Sequence, residues 1–150
     1  MKTQKINRPQ KAILLAILVF IMLPLVTSCT HNFPFLNSSV VPGAKGFVEI
    51  KKDNNKNYTV KVEVLDLAEV GKVQSTKTTY VVWMETDKGN AENLGQLKSS
   101  TSFFSKRHTA SLKTVSSFKP TKIFITTENG TNVQYPGEQV VLSTDNISVK

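Results

Sequence analysis

A chain of 150 residues with 39% apolar and 20% charged residues has the length and balance of one globular domain, and its charges are too few and too mixed in sign for a disordered polyelectrolyte. Its formal net charge of +8 overstates its basicity, because Lys2, Lys5, Arg8 and Lys11 precede Cys29 while every acidic residue follows it. The remaining fifteen basic and eleven acidic residues are spread along the chain, which argues against a nucleic-acid partner, since that needs a basic face or stripe.

The first expected element is a signal helix. Residues 12–26 read AILLAILVFIMLPLV, without charge and directly after the four cations. A charged start, an apolar stretch of about 7 to 15 residues and then small residues are the parts of a secretory signal. A permanent span needs about 20 apolar residues, and Pro24 would disturb the last turn. Cys29, the single cysteine, has no partner for an intrachain disulfide, and its position explains it better. Val26-Thr27-Ser28-Cys29 resembles the lipobox of bacterial lipoproteins. The resemblance implies cleavage between Ser28 and Cys29, a diacylglycerol thioether on the Cys29 thiol and acylation (palmitate or a similar chain) of the new amino terminus. Small side chains ahead of the cysteine suit an extended backbone in a peptidase cleft, and a thiolate is nucleophilic enough for the alkyl transfer. Two or more acyl chains hold a protein stably on a membrane where one does not. The expected location is therefore the cell membrane or outer membrane, with the domain outside the cytoplasm. Thr30 stands where an aspartate would signal inner-membrane retention, which favours the outer membrane if the source has one. A plain secretory signal and an uncleaved membrane helix are the competing readings.

Residues 29–45, rich in Asn, Ser, Pro and Gly, are expected to form a lipidated tether. Phe33, Phe35 and Leu36 are unusual in a flexible linker and are expected to pack on the domain or dip into the membrane surface. From residue 46 a period of two takes over, as half-buried strands require. Strands are expected at 46–52, 57–65, 78–86, 108–115, 122–128 and 138–143, with shorter candidates at 94–97 and 102–104. Turn signals lie between them at DNNKN, DKGN, ENGTN and YPG. In the strand at 78–86, Tyr80, Val82 and Met84 alternate with Val81 and Trp83, so it is apolar on both faces and expected to be central, with Trp83 in the core. The domain at 46–150 is thus all-β, an antiparallel immunoglobulin-like sandwich of about seven or eight short strands.

Several small motifs, in order, resemble the C-terminal domain of the anti-sigma-K factor family. Their residues are Tyr80, Trp83, Leu94, Gly95, Thr126 or Thr127, Glu128, Pro136, Gly137 and the strand 140–142. The resemblance implies an extracytoplasmic β-sandwich. It does not carry over anti-sigma activity, which that family locates in a cytoplasmic N-terminal domain for which only about eleven residues precede the apolar run here.

No catalytic, metal or cofactor site is expected. His31 falls in the tether, and His108 stands alone in the domain beside Lys106 and Arg107. Glu63, Asp66 and Glu69 alternate with apolar residues as solvent-facing strand positions do. No HExxH, GxSxG, phosphate-binding loop or cysteine-histidine cluster occurs. The function expected is a lipid-anchored, non-catalytic binding or interaction module. It is held to the membrane through acyl chains on Cys29, with an envelope protein or glycan as the partner class left open. The candidate contact loops are 53–57, 87–93 and 129–137, with Tyr135 as the best exposed aromatic. A structural component of an envelope assembly is the alternative, and an enzyme acting on envelope polymers is the less favoured one.

Overall fold

A computed structural model describes residues 30–101 and 108–149. The expected leader, the lipobox-like stretch with Ser28 and Cys29, the candidate strand 102–104, and Lys106 and Arg107 lie outside the described residues.

Among the described residues, nine strands and one short helix follow in chain order: β1 (Thr30–Pro34), β2 (Lys45–Lys52), β3 (Tyr58–Leu65), α1 (Val70–Val73), β4 (Thr79–Thr86), β5 (Ala91–Gln96), β6 (Lys98–Thr101), β7 (His108–Ser116), β8 (Pro120–Glu128) and β9 (Val140–Ser143). They form two antiparallel sheets, ordered β1-β2-β3-β7-β6 and β5-β4-β8-β9. The period of two decides what each strand buries. Val48 and Ile50 on β2 and Val60, Val62 and Val64 on β3 share one core with Tyr80, Val82 and Met84 on β4 and Ile123 and Ile125 on β8. The two sheets therefore face each other as a sandwich. Their lateral edges also meet, since only Leu97 separates β5 from β6 and Phe35 bridges to Thr144 beside β9.

β4 lies between β5 and β8, as its two apolar faces predict. Its outer residues Val81 and Trp83 pack with Phe124 in a second cluster that Val133 covers from the long β8–β9 connection. The register of β4 against β5 shifts between Val82 and Trp83. Opposite that shift Gly95 takes a φ of 122°, a conformation that a side chain would strain.

Two departures from the sequence reading matter for function. Residues 30–34 are not free spacer: β1 pairs with β2 from Thr30 opposite Lys51 to Pro34 opposite Phe47. Phe33 and Phe35 pack against the main core, whereas Leu36 is exposed. The alternation of His31, Phe33 and Phe35 inward with Thr30, Asn32 and Pro34 outward was masked by Asn and Pro, which an edge strand tolerates. The sheet thus begins immediately after Cys29. The second departure is β6, whose polar sequence KSST carries no apolar period and whose place is set by pairing with β7.

Candidate functional site

Between β3 and β4 the chain leaves the first sheet, turns at Asp66 in a left-handed conformation of φ 54° and forms the single turn of α1. This excursion lies beside β4 at one end of the sandwich, tied to it through Tyr80. A cleft of about 770 Å³ opens there, floored by Leu67, Val70, Tyr80 and Leu97 and rimmed by Asp66 and Glu69. That volume suits a small ligand or a peptide side chain. The Tyr80 hydroxyl donates to the Ala68 carbonyl at 2.9 Å, fixing the excursion to β4, and burial pushes its pKa from 10.0 up to about 12. It is thus a neutral donor across the physiological range. Glu69 pairs with Lys72 at 3.3 Å, both well exposed, so this contact adds little to stability. Of the three acids singled out in the sequence, only Glu63 sits on a strand, paired outward with Lys61 at 3.4 Å. Asp66 and Glu69 are brought to the cleft instead, because the chain leaves β3 before reaching them.

The loop at 129–137 belongs to a different surface. Trp83 Nε1 donates to Thr126 Oγ1 at 2.8 Å, the Thr126 hydroxyl donates to Glu128 Oε1 at 2.6 Å, and the same oxygen accepts from the Gly137 N–H at 2.6 Å. Asn93 Nδ2 donates to the carbonyls of Thr131 and Val133, both at 2.9 Å, while its Oδ1 accepts from the Gly95 N–H. Glu128 and Asn93 therefore clamp the connection from two sides over Trp83. Among the described residues, no buried side-chain polar atom lacks a hydrogen-bond partner. Tyr135 is 81% exposed on this clamped loop.

The loops 53–57 and 87–90 lie at the end of the sandwich opposite the cleft; the expected loop 87–93 is shorter because residues 91–93 pair with β4 as the start of β5. Residues 117–119 join them: Ser117 Oγ donates to Asn57 Oδ1 at 3.2 Å, and the Asp87 N–H donates to the Lys119 carbonyl at 3.1 Å. Thr30 enters the first sheet at this same end, opposite Lys51. His31 lies over Phe33, with ring centroids 6.4 Å apart, and His108 opens β7 at the cleft end. Among the described residues no three His, Cys, Asp or Glu side chains lie close enough to hold a metal ion, and no helix is long and apolar enough to cross a membrane.

The cleft was not legible in the sequence, because its walls come from four distant segments. The one local sign was the break in the period of two after Leu65. No protein-family model, no curated protein and no solved structure matches the chain.

Proposed function

We propose that this chain is a lipid-anchored cell-envelope protein whose sandwich, of immunoglobulin-like kind, is a non-catalytic binding module that takes its ligand in the cleft between β3 and β4. The observation that carries the reading is the polarity of the molecule. Thr30, the residue after the lipobox cysteine, enters at one end of the sheet, and the cleft opens at the other. An anchor at Cys29 would then turn the cleft away from the lipid. The cleft has an apolar floor and a polar rim, the composition of sites that hold one small molecule or one side chain of a protein partner.

The resemblance to the extracytoplasmic domain of the anti-sigma-K factor family fits this reading as architecture. Trp83, Thr126, Glu128 and Gly137 join in one hydrogen-bonded chain, and Gly95 sits at the bulge beside it. Those motif residues have a packing role, so they do not point to a shared ligand.

The test is photo-crosslinking in intact cells, with a photoreactive residue at position 69 on the cleft rim or at position 113 on the exposed outer face of β7, followed by mass spectrometry. A defined adduct from position 69 alone is expected. Adducts from position 113 alone, or from both sites equally, would overturn the cleft as the binding site. The intact mass of the chain purified from the same membranes is expected to carry acyl chains on an amino-terminal Cys29, and a mass showing an unmodified Cys29 would overturn the lipid anchor.

A further inference from the structure

The end of the sandwich beside Cys29 carries a surface that ligand binding in the cleft does not use. Thr30 pairs with Lys51, Lys51 with Thr59, and Thr59 with Val115. These four residues form one row across β1, β2, β3 and β7. With about 4.8 Å between neighbouring strands, Val115 stands roughly 14 Å from Thr30 at the same level of the sheet. Val115 is 61% exposed, and Phe118 is 36% exposed where the chain crosses to the second sheet.

Exposed lysines surround this apolar pair: Lys51, Lys52 and Lys56 at the β2–β3 turn, Lys88 at the β4–β5 turn, and Lys119. The Lys88 ammonium lies 4.9 Å above the Phe118 ring. Among the described residues, five acids share this end. Asp53 accepts from the N–H groups of Asn55 and Asn57, each at 2.8 Å, Glu92 accepts from the Ser116 hydroxyl at 3.3 Å, and Asp145 accepts from the Asn146 N–H at 2.8 Å. Glu85 pairs with Lys122 at 3.9 Å, and Asp87 is exposed. The five lysines around the apolar pair thus outnumber the four acids outside that ion pair by one. Cations beside exposed apolar side chains, on a rigid end one residue from a lipid attachment point, match an anionic membrane surface in both charge and polarity.

We propose that this end of the domain lies directly on anionic lipid, with Val115 and Phe118 at the level of the headgroups and the five lysines over the phosphates. The domain is thereby held upright, with its cleft facing away from the membrane. This rests on the reading of Cys29 as the anchor. Because β1 starts at Thr30, there is no spacer to let the domain tumble.

The experiment uses the full chain, purified from membranes and reconstituted in vesicles of phosphatidylcholine with or without phosphatidylglycerol. Lipidation consumes the Cys29 thiol, so Val115→Cys and Glu69→Cys each supply one reactive thiol for an environment-sensitive fluorophore. Quenching by a headgroup-attached nitroxide lipid then reads the height of each site, and intact mass reads the state of Cys29. On vesicles with phosphatidylglycerol, quenching at position 115 should exceed that at position 69 by about threefold or more, and high salt or removal of the anionic lipid should shrink the difference. Equal quenching at the two sites, or stronger quenching at position 69, in protein whose mass carries the lipid would overturn this proposal alone. An unmodified Cys29 would overturn the anchor and the proposal together.

Discussion

At the scale of single residues, Glu128 is the side chain on which most depends. It is 4% exposed, and one of its oxygens serves both the Thr126 hydroxyl and the Gly137 N–H. Glu128→Ala leaves both donors without that acceptor and should lower stability by about 2 to 4 kcal/mol, measured by urea unfolding, because orphaned donors and lost charge-assisted bonds are expensive. Tyr135→Ser, on the same loop but exposed, should stay within about 0.5 kcal/mol of the parent. Tyr80 supplies a second prediction. Its folded-state pKa of about 12 stands above the ordinary 10.0, so the folded protein keeps a proton that the unfolded chain releases. This contribution to stability is complete below pH 10 and is lost as the pH rises through 12. Between those values the urea midpoint should fall faster in the parent than in Tyr80→Phe, and identical pH profiles would show that the Tyr80 hydroxyl is solvated.

At the scale of elements, β1 is the test of how the domain begins. Gly46 on β2 lies under it: an added Cβ would fall on the Glu63 carbonyl oxygen and within 3.1 Å of the Phe35 ring. Backbone cannot yield to such a contact as a flexible side chain can. Gly46→Ala should therefore push β2 away from β3 and loosen β1, raising amide hydrogen exchange along Thr30–Pro34. Phe35→Ala should destabilise by roughly 1 to 3 kcal/mol, less than the ~3 to 5 kcal/mol of a core phenylalanine because Phe35 is half-buried. A free tether would give no change in exchange along Thr30–Pro34 on Gly46→Ala and no loss of stability on Phe35→Ala. The β2–β3 turn shows how far local chemistry reaches. DNNKN announces a turn, and Asp53 closes it, but the left-handed position falls on Lys56, with a φ of 66°, rather than on an asparagine. Turn composition located the reversal, and the pairing register of the flanking strands chose the residue within it.

At the scale of the whole molecule, the core joins residues far apart in sequence, since β1 contacts β2 while β9 closes against β8 and Phe35 reaches Thr144. A chain starting at Thr30 should keep the urea midpoint of one starting at Cys29, whereas one starting at Gly46 loses β1 and uncovers the edge of β2. The shorter chain should unfold at a clearly lower urea concentration, and equal midpoints would return residues 30–45 to the role of a spacer.

Six strands were legible because a half-buried strand writes its own period: Val60, Val62 and Val64 alternate with Lys61 and Glu63 whatever they pack against. The doubly apolar β4 likewise announced its central place. The amino-acid sequence by itself thus determined the all-β class, the strands with a strong period, the burial of Trp83 and the sites of the turns, since each follows from local alternation and backbone preference. Only the tertiary structure decided the remainder. It recruited β6 by edge pairing that needs no apolar signature and β1 through an alternation that Asn and Pro obscured, it laid residues 129–137 over Trp83, and it opened the cleft opposite the end where Thr30 enters. Those features arise from contacts between distant segments, whose free energy depends on the neighbour supplied by the fold.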